Sequence, residues 1–261
     1  MDGSDTRRGL PAVHRRFASL HRSESWVGDP EAFGMGAAVL LGDLCLAWSD
    51  EMLSTSDLPA DRLLAGHQVY DQMRTELMGG QYLDLLEQAR GGGSVERALR
   101  VARYKSAKYT IEKPLHLGAV LAGAGQEVLD GYSGYGLPLG EAFQLRDDVL
   151  GVFGDPSVTG KPAGDDLREG KRTALVAMAL EQATPAQAAV VRRHLGDPHL
   201  TADGVARLRE VIEQTGALRR VEGLIDELMD DALTALHAAP LAGDAREVLA
   251  QLAIAATARA T

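Results

Sequence analysis

Two adjacent carboxylates, Asp147 and Asp148, stand in the segment FQLRDDVLG (143–151) among Phe143, Leu145, Val149 and Leu150. At helical spacing Gln144, Asp147, Asp148 and Gly151 fall at i, i+3, i+4 and i+7, along one stripe. Carboxylates so placed repel and raise each other's pKa unless a cation lies nearby. A hard divalent cation resolves the conflict. Mg²⁺ takes oxygen ligands and needs only one or two carboxylates when waters and phosphate oxygens complete its shell. A lone Asp-Asp pair on a helix is ordinarily a solvated acidic edge. Here the sequel TGKPAGDDLREGKRT (159–173) brings Lys161 in a Gly/Pro-rich loop, then Lys171 and Arg172. A cation-binding pair followed by lysines is the combination a polyphosphate group requires.

Weaker signals precede it. Lys105 and Ser106 lie in YKSAKYT (104–110), Gln81 and Asp84 in GGQYLD (79–84), and Arg7 and Arg8 in RRGLP (7–11). Taken singly, these read as a snorkelling lysine, a helix-surface hydrogen bond and a surface basic pair. Their order along the chain carries more information than any one of them.

These groups must be positioned by helices. Leu and Ala dominate the 261 residues, aromatics are 5%, and β-branched residues never form alternating runs, so the composition predicts an all-α chain. Residues 1–30 are polar and basic, with a helix end, a loop and a short helix around VHRRFASLHR. Residues 31 to about 52 read as a tightly packed core helix. A helix starting after Asp57, with Pro59 in its first turn, runs towards Glu87 and ends at Gly91–Gly93. Ser94 caps the next helical stretch, which Pro114 kinks or divides. Another helical stretch carries the aspartates, and amphipathic Ala/Leu helices fill 171–261.

The formal net charge of −10 argues against nucleic acid as the main partner, so an anionic substrate needs a local basic site. Cys45 is the single cysteine and forms no internal disulfide; a small buried side chain in a reducing cytoplasm is the simple expectation. No transmembrane segment is expected, because uncharged apolar runs such as AFGMGAAVLLG (32–42) are short of the ~20 residues a span needs. The N-terminus has no apolar region of the signal-peptide kind.

In order, RRGLP, GDLCLAWSDEML (42–53), GGQYLD, YKSAKYT, FQLRDDVLG and TGKPAGDDLREGKRT resemble the blocks of the trans-prenyltransferases, the polyprenyl diphosphate synthases of geranylgeranyl type and of the actinobacterial branch in particular. The resemblance implies an isoprenoid-synthase helical bundle around a central cavity, a single domain over 1–261, and a homodimer. It implies Mg²⁺-dependent head-to-tail condensation of isopentenyl diphosphate with an allylic diphosphate to a short-chain product such as geranylgeranyl or farnesyl diphosphate. Asp147 and Asp148 match the second metal motif, with Gly151 where the DDxxD form ends in aspartate. Lys105, Lys161 and Lys171 match residues that hold diphosphate, Arg7 assists them, and Arg8 contacts isopentenyl diphosphate. Gln144 and Ser106 flank the reacting carbon, so Lys105, Gln144 and Lys161 are the expected catalytic groups.

The opening MDGSDTRRGLP matches only the last two positions of the family's first aspartate motif, leaving Asp2 as its one metal-binding residue. The first helices are therefore expected upstream or missing. A non-catalytic partner subunit of a complete synthase is the alternative. A terpene cyclase fits less well, because its Asn/Asp-Ser-Glu metal motif does not stand at FQLRDDVLG. A purely structural helical protein leaves the clustered acids and bases without a reason.

Overall fold

The computed structural model describes residues 5–7, 9–91, 93–154 and 164–257. Among them the only strands are β1 (Thr6–Arg7) and β2 (Leu10–Pro11), an antiparallel pair in which Arg7 faces Leu10. This pair stands where a helix end was expected. All other regular structure among the described residues is helical, in line with the composition. The chain falls into two compact units, one comprising residues up to Pro59 and the other mainly Ala60–Asp155 and Ala163–Thr261.

In the first unit α1 (Val13–Ser23) packs on α2 (Pro30–Ser54). Asp29 caps α2 through its side chain and Pro30 opens it. Gly34 permits the contact: a Cβ there would lie 2.3 Å from the His14 carbonyl oxygen. Arg15 pairs with Asp5 at 2.6 Å and with Glu31 at 2.8 Å. His21, Trp26 and Phe33 form an aromatic cluster with ring centres 5.3–5.9 Å apart.

Expectation and structure differ on α2. Its apolar residues are exposed rather than in a core: Leu40 is 70% accessible, Val39 57% and Trp48 54%. Cys45 is exposed as well. A helix apolar on most sides needs a covering surface, and among the described residues Gly34 is the one position of α2 that is buried. By length and composition α2 is also apolar enough to cross a membrane, with a mean hydropathy of 1.5 over 18 residues. Asp43 stands in its middle and divides its uncharged stretch.

In the second unit α3 (Ala60–Arg90) ends where Gly91 turns with φ +83°. Ser94 accepts a hydrogen bond from the Arg97 amide and starts α4 (Val95–Ala102). A ten-residue π-helical segment, Arg103–Glu112, follows, and Pro114 then opens α5 (Lys113–Ala122). The stretch with the aspartates is one 28-residue helix, α6 (Gln126–Phe153), uninterrupted by Pro138. After α6 come α7 (Asp165–Arg168), α8 (Ala174–Gln182), α9 (Pro185–His194), α10 (Ala202–Gln214), α11 (Ala217–Ala238) and α12 (Gly243–Thr257).

The second unit is organised around α6, which packs on α11 along one side and on the π-helical segment along another. Leu145, Val149 and Val152 are buried among Leu167, Leu175, Leu208, Val221 and Ile225. Each such side chain contributes roughly 1.5–3 kcal/mol of burial. Arg146 fixes the rotation of α6, donating to both Glu222 oxygens at 2.7 and 2.6 Å and to the Thr257 carbonyl at 3.0 Å. With this face anchored, the stripe of Gln144 and Asp148 is turned toward the π-helical segment.

Candidate active site

Glycines set the distances. On α6, Gly136, Gly140, Gln144 and Asp148 form one i, i+4 row. A Cβ on Gly140 would lie 2.4 Å from Ala107 Cα, and one on Gly136 would lie 3.1 Å from Glu112 Cα. α6 thus lies directly against the backbone of the π-helical segment. On the far side of that segment a Cβ on Gly80 of α3 would lie 2.5 Å from the Lys105 amide nitrogen. The segment is therefore held by glycine contacts on two sides. Interruptions of α-helical geometry of this type concentrate at functional sites.

The consequence is a linked set of polar groups. The Ser106 hydroxyl donates to Gln144 Oε1, and Gln144 Nε2 donates to Asp148 Oδ1 at 2.8 Å. Both ends of the Gln144 amide are engaged, so its orientation is fixed. Lys105 Nζ donates to Asp84 Oδ2 at 2.6 Å, and Asp84 lies one helical turn beyond Gly80. Asp84 also accepts from Gln88 at 3.3 Å, so its partners are Lys105 and Gln88 rather than Gln81. Arg103, two residues before Lys105, pairs with the buried Glu141, and that bond raises the pKa of Arg103.

Asp147 and Asp148 differ although they are neighbours. Asp147 is exposed, whereas Asp148 is 6% accessible. Burial pushes the Asp148 carboxyl up to about 8; the Gln144 hydrogen bond opposes this, Asp166 and Asp147 add to it, and Lys171 opposes it. Such a carboxyl is ionised at neutral pH only when a cation comes to it. Asp147 and Asp148 form an oxygen-only donor set that fits a hard cation. Among the described residues no group of three or more His, Cys, Asp or Glu could hold a metal. Two carboxylates would leave the remaining positions to water or phosphate oxygens, as is usual for Mg²⁺.

Lys171 Nζ lies 2.6 Å from Asp166 Oδ1 and 3.2 Å from Glu169 Oε2. Arg172 is half-buried, its pKa is lowered by burial, and its Nε has no hydrogen-bond partner among the described residues. Arg7 lies on β1 in the first unit. Asp2, Arg8 and Lys161 lie outside the described residues, as does Asp155. The structure thus brings Ser106, Gln144 and Asp148 together and places Lys105 on the same segment as Ser106. It gives Asp84 a partner in Lys105 and adds Glu141, Asp166 and three packing glycines. For the two glycines on α6 the signal is GxxxGxxxQxxxD at 136–148, which reads as turn punctuation unless the four positions are put on one helix row.

A sequence model described as polyprenyl synthetase matches residues 1–214. The chain is 32% identical over 228 residues to a geranylfarnesyl diphosphate synthase of Aeropyrum pernix, covering 85% of this chain and 64% of the relative. It is 32% identical over 238 residues to a geranylgeranyl diphosphate synthase of Mycobacterium tuberculosis, covering 90% and 62%. The chain thus spans under two thirds of these curated relatives' length. The crystal structure of a geranylgeranyl pyrophosphate synthase from Corynebacterium glutamicum, complexed with isoprenyl diphosphate and magnesium, superposes with a TM-score of 0.96 at 45% identity, covering 99% of this chain and 73% of that one.

Proposed function

The chain belongs to the polyprenyl synthetase family and has its all-α isoprenoid-synthase fold, and from that premise we propose that the protein condenses isopentenyl diphosphate head-to-tail with an allylic diphosphate. The observation that carries the reading is the hydrogen-bonded line from Ser106 through Gln144 to the buried carboxyl of Asp148. It ends on a group that needs a cation and passes through fixed dipoles. Asp147 and Asp148 would hold Mg²⁺, which when bound neutralises the charge that grows on a departing diphosphate.

The protein's own groups have distinct tasks. Lys105, with Asp84 holding its ammonium, offers a fixed positive charge to the allylic diphosphate. Lys161, Lys171 and Arg7 serve the same anion, and Arg8 serves isopentenyl diphosphate. Gln144 presents a carbonyl oxygen and Ser106 a hydroxyl oxygen, negative dipole ends that favour an allylic cation without trapping it as an ion pair would. Asp2 is assigned a metal-binding role by the family resemblance alone. The acidic average of the chain is compatible with an anionic substrate because the basic groups are local.

The relatives named above differ in product, so a short-chain product class is the extent of the reading. Residues 1–261 are read as one synthase domain, a view supported by a family match that runs from the first unit into the second. A homodimer is supported by the uncovered apolar residues of α2. A cytoplasmic location accords with the lone thiol of Cys45.

The test is Mg²⁺-dependent formation of hexane-extractable product from labelled isopentenyl diphosphate, using the protein as isolated from its source. Asp147→Ala and Asp148→Ala are each expected to lower turnover at least a hundredfold, the scale of losing one charge-stabilising group. Unchanged turnover in both would remove the site assignment. No product from the protein alone, together with altered product length when a complete synthase is added, would instead favour the partner-subunit alternative.

A further inference from the structure

The last position of the second aspartate motif is Gly151, and the space that its side chain would occupy is filled. A Cβ on Gly151 would lie 2.0 Å from Asp166 Oδ2 and 2.6 Å from Asp166 Cγ. The carboxyl of Asp166 therefore sits where a residue at 151 would start its own side chain. Asp166 is 6% accessible, and its other oxygen, Oδ1, accepts from Lys171 Nζ at 2.6 Å.

This placement is built by the surrounding chain. Gly164 and Gly170, with φ +72° and +73°, bracket the short α7 turn. The buried Leu167 anchors the turn, and its carbonyl accepts from the Gly196 amide at 2.9 Å. Gly151 closes the stripe of Gln144, Asp147 and Asp148 on α6, so a carboxyl seated against it stands at the end of the metal-binding stripe. A carboxylate thus stands beside that stripe, supplied from α7 rather than from α6.

Resting on the function proposed above, we propose that Asp166 is a positioning residue that, seated against Gly151, holds the Lys171 ammonium for the substrate diphosphate. Glycine at 151 is then the substitution that admits Asp166, and the two positions are coupled. Restoring the DDxxD form with Gly151→Asp should harm the site. Two carboxyls would compete for one space, and the Asp166–Lys171 pair would be pushed out.

The test compares wild type, Gly151→Asp, Asp166→Asn, Asp166→Gly and the reciprocal Gly151→Asp/Asp166→Gly double variant. Melting midpoints in EDTA need no substrate. Gly151→Asp is expected to lower the midpoint by roughly 5 °C, the scale of an overpacked interior site in a domain of this size, and the double variant to regain most of it. The second readout is the midpoint gain on adding magnesium pyrophosphate, with KM and kcat measured alongside. Asp166→Asn keeps the shape and is expected to raise the KM for the allylic diphosphate about tenfold, the loss of one charge-assisted bond. The double variant is expected to recover pyrophosphate protection that both Gly151→Asp and Asp166→Gly lack.

A Gly151→Asp protein with the wild-type midpoint and KM would overturn the proposal. So would a double variant no better than the worse single. Wild type that gains nothing from magnesium pyrophosphate would instead overturn the reading of the site itself, and the role given to Asp166 with it. The EDTA midpoints would still report whether positions 151 and 166 share one space.

Discussion

Asp148→Asn should stabilise the metal-free protein while abolishing its function. The carboxyl has a pKa of about 8 in the folded chain against 3.8 in an unfolded one, with burial as the main cause. Between those values the folded state keeps a proton that the unfolded state has lost. Stability therefore falls as pH rises from about 4 to about 8, by ~1.4 kcal/mol per pH unit, and is flat above. At pH 7 the accumulated cost is about 4 kcal/mol, and at pH 5 between 1 and 2. Asparagine removes the titration, keeps the shape, and can still accept from Gln144 Nε2, which donates to Asp148 Oδ1 at 2.8 Å.

The assay is urea unfolding in EDTA at pH 5, 7 and 9 for wild type and Asp148→Asn. The variant should be more stable at every pH, with an advantage that widens between pH 5 and 7. At pH 7 a gain of about 2–4 kcal/mol, or roughly 5–10 °C in melting midpoint, is the expected range. Magnesium pyrophosphate should narrow or reverse the order, because a ligand at a hundred times its Kd adds about 2.7 kcal/mol only to the protein that binds it. An advantage independent of pH, or a less stable variant in EDTA, would refute the account of Asp148 as a carboxyl buried at a cost until a cation arrives.

Gly140→Ala should cost about 1–3 kcal/mol, because its Cβ would meet the Ala107 backbone at 2.4 Å rather than a movable side-chain end. Turnover should fall more than substrate binding, since Ser106 and Gln144 would be pushed apart; equal stability and kcat would contradict the role given to this contact. Arg146→Met should cost about 2–3 kcal/mol in chemical unfolding, because it removes two bonds to Glu222 and one to the Thr257 carbonyl. Leu40→Glu on the exposed face of α2 should shift the mass measured by light scattering from dimer to monomer without lowering the melting midpoint of the isolated monomer, as Leu40 is 70% accessible in the single chain.

Legibility in the sequence followed the range of the interaction involved. The Ser94 cap, the Gly91 break and Pro114 at a helix start are local rules, and each operates as the sequence implies. The exposure of α2 is not legible in its sequence, because an apolar pattern reports that a surface is to be covered and not by what. The π-helical segment has no composition of its own, since its geometry comes from being held between Gly80 on α3 and Gly140 on α6. Asp147 and Asp148 were legible as a pair, yet their division into an exposed and a buried carboxyl depends on how Arg146 anchors the rotation of α6.

The same argument bears on Gly151. Read as a string, DDVLG is the DDxxD form with its last carboxylate lost. In three dimensions the place of that side chain is taken by Asp166, fifteen positions later and on a different element. A helix offers a new carboxyl only along its own stripe, whereas a short glycine-bracketed turn can deliver one from outside, already paired with Lys171. The Asp166 carboxyl touches both Gly151 and the Lys171 ammonium, so substitutions at 151, 166 and 171 should be non-additive, as expected for residues in direct contact.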